Sequence, residues 1–143
     1  MAASTSFRIS ETAKKLLASH ASKQGTSATA LLEQLIVEGV EQREYPGIVF
    51  RGPAHNRRAA LAGGPDVWEV GGRLREPDGT EERRIGLLAE ESNLHPRLIR
   101  LALDYVVQHP SEVVVRIETN RATAERIRAT SMQRESLLRC PSS

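Results

Sequence analysis

The order of signals in the first 44 residues constrains this chain more than any other feature. An alternating stretch, Ser4-Thr5-Ser6-Phe7-Arg8-Ile9, leads into a helix start at Ser10, a helix stop at Gly25 and a second helix start at Thr26-Ser27. That order is strand, helix, helix. Side chains alternate across a strand, so Thr5, Phe7 and Ile9 share one face, and Ser4, Ser6 and Arg8 share the other. The stretch contains no second strand to pair with the first. A lone strand on two short helices cannot bury its own apolar face, so the pattern implies a second copy of the chain.

The helix signals are specific. Ser10 is an N-cap residue with Glu11 in the first turn, where a carboxylate is favoured by the helix dipole. Ala13, Leu16, Leu17 and Ala21 form an apolar stripe at helical spacing. Gly25 suits the left-handed position that ends a helix. The second helix carries Leu31, Leu32, Leu35, Ile36 and Val40, and its N-terminus around Thr26, Ser27 and Ala28 offers backbone N–H groups as a phosphate seat.

Paired with its copy across a two-fold axis, the strand makes a two-stranded ribbon, which fits the major groove of B-DNA. Its polar face then presents Ser4, Ser6 and Arg8 to base edges, with Arg8 able to make a two-pronged contact to guanine. The text SFRISETAKKLLASHASKQGTSATALLEQLIVEG resembles the ribbon-helix-helix family of MetJ-, Arc- and CopG-type repressors, over about a third of the chain. The resemblance implies an obligate dimer that reads DNA with its ribbon, and many members are antitoxins of toxin–antitoxin operons. It gives the base-reading role to Ser4, Ser6 and Arg8 and the phosphate role to Thr26 and Ser27. The alternative is a dimerisation arm with no DNA role.

Composition narrows the classes. The chain has 143 residues and a net charge of +2, so no global polycation needs explaining. All three lysines, Lys14, Lys15 and Lys23, precede residue 24, and every later cation is arginine. Heavy arginine use with abundant alanine suggests a GC-rich genome. Aromatic residues are few, which argues against stacking platforms for single strands. The one cysteine, Cys140, excludes a disulfide framework and a cysteine zinc site, and fits a reducing cytosol. No signal peptide or membrane span is visible.

Residues 45–109 read as a second module. Tyr45-Pro46-Gly47 is a turn, Ile48-Val49-Phe50 a short strand, and Arg57 to Ala62 a segment that pairs back on it as a hairpin. Asp66 caps a helix carrying Val67, Trp68, Val70 and Leu74. Two further helices then cross at a tight turn near Asn93, a helix-turn-helix pattern that places His95, Arg97 and Arg100 early on the second helix, where base contacts are made. Arg57 and Arg58 are candidates for phosphate contacts from the hairpin. The second helix also carries Leu98, Ile99, Leu101, Ala102, Leu103, Val106 and Val107, and a helix this apolar is more often buried between layers than laid in a groove. Both roles stay open. The text YPGIVFRGPAHNRRAALAGGPDVWEV with this helix pair looks like a small winged-helix-like domain of VapB-like antitoxins, often found with toxins of the PIN ribonuclease fold. That resemblance implies binding, not catalysis.

The third segment, 110–143, begins with a helix entered at His109-Pro110-Ser111-Glu112. Val113, Val114, Ile117, Ala124 and Ile127 recur at near-helical spacing, and beyond Ala129 the pattern thins. In antitoxins such a segment wraps the toxin, which makes Arg121, Arg126 and Arg128 candidate partner contacts. A helix packed on its own domain is the other reading.

Catalytic signals are lacking. His20, His55, His95 and His109 stand far apart without metal-ligand spacing, no glycine-rich phosphate loop precedes a helix, and no nucleophile motif is present. The expected fold is mainly α, with a short N-terminal β-ribbon and a small winged-helix-like helix-turn-helix domain. The expected protein is a homodimeric, cytoplasmic, nucleoid-associated bacterial regulator that binds double-stranded DNA, without catalytic activity, cofactor or metal, most simply an antitoxin that represses its own operon and neutralises a PIN-type toxin. The alternatives are a protein-interaction adaptor with weak DNA affinity and a nucleoid-associated architectural protein.

Overall fold

The computed structural model describes residues 3–139, so Cys140 lies outside the described residues. Six helices and one hairpin follow in the order α1 Glu11–Gln24, α2 Ala28–Glu44, β1 Ile48–Arg51, β2 Arg58–Leu61, α3 Val67–Arg75, α4 Glu81–Ser92, α5 Pro96–Gln108 and α6 Pro110–Leu138. The two-stranded antiparallel sheet pairs Ile48 with Leu61 and Arg51 with Arg58.

One expectation is overturned. The only sheet among the described residues comes after two helices, and none of those residues forms an N-terminal ribbon. Residues 3–10 carry no strand, and all of them are exposed, with Phe7 at 77 % and Ile9 at 40 %. The physical reason is the same shortage that the sequence displays. A strand is held by ladder hydrogen bonds, and the chain supplies no neighbour to this segment. The apolar face of Phe7 and Ile9 therefore does not pack on α1 or α2.

The two helices that follow start and stop where local chemistry dictates. The Ser10 hydroxyl accepts from the Ala13 N–H at 3.1 Å, and the Ser27 hydroxyl from the Ala30 N–H at 3.1 Å. Each such cap is worth about 1 kcal/mol. Between them Gly25 sits at φ 66°, left-handed, where any side chain would be strained. This two-helix unit buries little: Ala21 and Leu31 are its only buried apolar residues.

The real core lies further on. Ile48, Leu61, Val67, Val70, Ile85, Leu88, Ile99 and Tyr105 form one cluster, closed at one end by Val113 of α6. Fully burying an aliphatic side chain of this size contributes about 1.5–3 kcal/mol. α5 runs through the middle, with Ile99, Ala102 and Tyr105 buried along one face. Gly47, at φ 108°, lets the turn pass Leu101 closely enough that a Cβ would stand 2.8 Å from its Cδ2. α6 is longer than the sequence pattern indicates: it continues past Ala129 to Leu138, although only Val113 is buried along it.

Candidate nucleic-acid interface

Ser4, Ser6 and Arg8 project from the exposed segment just before the Ser10 cap. Lys14, Lys15 and Lys23 are exposed on α1 behind them. Charge is segregated within this unit. Residues 8–25 carry Arg8 and three lysines against Glu11, a net +3, whereas residues 26–44 carry four glutamates against Arg43, a net −3. A cation-rich α1 with an arginine arm ahead of it is suited to the sequence-independent attraction of phosphates.

The three residues of the expected phosphate seat have different fates. The Thr26 N–H is donated to Ala21 O at 3.0 Å as part of the α1 cap, so it is already used. The Ser27 hydroxyl is used by Ala30. Ala28 opens α2, and the N–H groups of its first turn other than Ala30 have no acceptor within the helix.

α4 and α5 meet through a three-residue connection, Asn93 to His95. Asn93 adopts the left-handed conformation at φ 59°, which asparagine tolerates better than most side chains. His95 is the N-cap of α5, its Nδ1 accepting from the Arg97 N–H at 3.0 Å. Arg97 and Arg100 are exposed, in line with Asp104 and Gln108 on one face. Arg100 Nη2 lies 2.9 Å from Glu82 Oε2, an exposed pair worth at most about 1 kcal/mol, which a phosphate could displace. The apolar side of α5 is covered by the chain's own core, apart from Val107, which is 64 % exposed.

The hairpin cations are engaged within the chain. Arg57 Nη2 stands 2.6 Å from Glu38 Oε1, and Glu38 is only 8 % exposed. Arg58 Nε is 2.6 Å from Asp66 Oδ2, which also accepts from Trp68 Nε1 at 3.1 Å. Arg116 of α6 donates to Asn56 Oδ1 at 2.9 Å and to Arg57 O at 2.8 Å, tying the long helix to the hairpin loop.

A second anchor joins α2 to the body, and sequence reading missed it. Glu41 Oε2 accepts from the Tyr105 hydroxyl at 3.2 Å, and Glu41 Oε1 lies 2.8 Å from His109 Nε2. The Tyr105 and His109 rings stack with centroids 4.1 Å apart. Burial above all, and then the carboxylates of Glu112 and Glu41, push the Tyr105 phenol well above the ordinary tyrosine value. The signal was present as acids three residues apart, Glu38 and Glu41, among the aliphatic residues Leu35, Ile36, Val37 and Val40. Their partners lie 19 and more residues away in sequence, so spacing alone could not pair them.

Arg126 and Arg128 are exposed on the part of α6 beyond the core, while Arg121 lines a cleft beside Trp68. Among the described residues no cluster of three or more metal-ligating side chains occurs, and no helix is long and apolar enough to cross a membrane. No protein-family model matches the chain, and no curated protein or solved structure matches it either.

Proposed function

We propose that this protein is a dimeric DNA-binding regulator of the antitoxin type, acting in the bacterial cytoplasm on its own promoter and holding a protein partner, such as a PIN-type toxin, with the distal part of α6. The observation that carries the reading is the character of the two-helix unit. It buries two apolar residues, yet Phe7, Leu16, Leu35, Ile36, Val37 and Val40 stay exposed on it. α2 is anchored to the body through Glu38 and Glu41, and Leu35, Ile36, Val37 and Val40 form an exposed apolar patch on it. A cluster of exposed aliphatic side chains marks an interaction surface, and a second copy is the simplest source of cover. A two-fold pair brings two cation-rich α1 helices and two Arg8 arms into one assembly, an arrangement suited to a duplex with paired half-sites.

The α4–α5 pair supports the same reading through Arg97 and Arg100, and is the second contact region of the proposal. The test is fluorescence anisotropy with a labelled duplex from immediately upstream of the protein's own reading frame, against a scrambled duplex of equal length. Preference for the upstream duplex by at least about a thousandfold is expected for a specific regulator. Equal affinity for both, with a steep salt dependence, would move the reading to an architectural protein. No binding to either would leave the interaction adaptor.

A further inference from the structure

A cleft of about 540 Å³ opens between α3, the C-terminal end of α4 and α6. Its floor is apolar: Val70 and Leu88 are buried, and Trp68, Leu94 and Ile117 pack partly exposed against the core. Its rim is charged. Glu69, Arg73 and Arg75 of α3 and Glu76 at its C-cap line one side, and Arg121 of α6 lines the other. Two of these five groups are already occupied. The Glu69 carboxylate accepts from the Asp66 N–H at 3.1 Å, and Arg73 pairs with Glu91 at 3.1 Å. Among the described residues, Arg75, Arg121 and the Glu76 carboxylate have no ion-pair partner, which leaves a net positive charge at the rim. The two arginines stand on different elements, α3 and α6, over the same apolar floor.

We propose that this cleft is a binding site for a small aromatic carboxylate. The volume falls within the range of small-molecule pockets, roughly 300–1,000 Å³, and an apolar floor with few convergent polar groups is their usual make-up. An aryl ring covers Leu94 and Ile117 beside the Trp68 indole, where flat rings gain from edge or offset contact. The carboxylate lies between Arg75 and Arg121, each able to donate a charge-assisted, two-pronged hydrogen bond. A neutral analogue leaves that pair of cations unanswered, and a ligand without a ring leaves the floor wet. Because Arg121 belongs to α6, such a ligand braces α6 against α3. α6 projects otherwise with exposed Ile127, Met132, Leu137 and Leu138. The site thus gives a small metabolite a grip on the segment proposed to hold the protein partner, and its occupancy is measurable without any partner or DNA.

The chain has one tryptophan, Trp68, so its emission reports on this cleft and on the neighbouring groove lined by Asp66, Glu112 and Arg116, and the arginine replacements assign the signal to the cleft. The experiment is a titration of the full chain with 4-nitrobenzoate, a quenching aryl carboxylate, beside 4-nitrobenzyl alcohol as the neutral control. Saturable quenching by the carboxylate, at about millimolar concentration or below for a ligand of this size, is expected. Arg75→Ala and Arg121→Ala should each weaken it by about tenfold. Gly72→Leu should remove saturation, because Gly72 lines the cleft and its added Cβ would point toward Ile117 Cγ1 at 3.7 Å. Far-UV circular dichroism confirms that each variant is folded; if Gly72→Leu is not, the two exposed arginines carry the test. Linear, unsaturating quenching equal for acid and alcohol would overturn the proposal, as would saturation untouched by both arginine replacements.

Discussion

His109 Nε2 lies 2.8 Å from Glu41 Oε1, joining the N-terminal end of α6 to the C-terminal part of α2 across 68 positions of sequence. The other ring nitrogen, Nδ1, is 3.0 Å from Tyr105 O. Both nitrogens face acceptors, and a neutral imidazole has one N–H to give. The Nε2 contact is a hydrogen bond between two partly buried side chains, and it ties the two helices at this point. Together with Glu38 and Arg57 it fixes the orientation of a helix whose own core is too small to do so.

Glu41→Ala should destabilise the chain by about 1–3 kcal/mol, since it removes the acceptor of two partly buried donors. Urea unfolding followed by circular dichroism measures this. A loss within error of zero would mean that α2 is held by its apolar contacts and the Glu38–Arg57 pair without help from Glu41.

Alkaline stability should depend on Tyr105. Its phenol is held above the ordinary value in the folded chain, first by burial and then by the Glu112 and Glu41 carboxylates. Up to the unfolded-state value of about 10 the phenol is protonated in both states, and its contribution is complete. At higher pH the unfolded chain releases the proton while the folded chain keeps it, so stability falls as pH rises. Tyr105→Phe should flatten that alkaline limb in thermal melts between pH 9 and 11; an unchanged limb would assign the loss to other groups.

Arg57 should behave as a structural residue. Its guanidinium answers a nearly buried carboxylate, and removing one partner of such a pair strands the other. Arg57→Ala should cost about 1–3 kcal/mol of stability, less than for a fully buried pair because Arg57 is partly exposed. Its effect on DNA affinity, measured well below the unfolding midpoint, should be small. A large affinity loss at unchanged stability would return Arg57 to the phosphate backbone.

Local chemistry was legible in the sequence, and long-range pairing was not. Ser10, Gly25, Ser27 and Asp66 mark helix ends because each acts within a turn of itself, and the hairpin of Ile48 to Leu61 is set by turns close in sequence. The strand expected over Ser4 to Ile9 was wrong in the described chain because alternation specifies only that a segment suits a sheet, not that a neighbour is present. Arg57 and Arg58 read as surface cations because Glu38 and Asp66 approach them only in the folded state. The apolar α5 kept two readings in sequence. The fold gives its one face to the core and leaves Arg97 and Arg100 outside.

The two cation regions should be separable on DNA. Arg8→Ala should lower affinity for the upstream duplex by about 1–3 kcal/mol if Arg8 contacts a base, with much less effect on scrambled DNA. Arg97→Ala with Arg100→Ala should lower affinity further if α5 is a second contact region. Equal losses on both duplexes would assign the affected arginines to phosphate contacts.

Sedimentation of the full chain with a fluorescently labelled upstream duplex tests the central claim most directly, because it reads assembly and DNA recognition together. A dimer at micromolar concentration without DNA is expected, and two chains or a multiple of two on each duplex, displaced by unlabelled upstream DNA and not by the scrambled sequence. A stable folded monomer that sediments apart from the duplex would contradict the account.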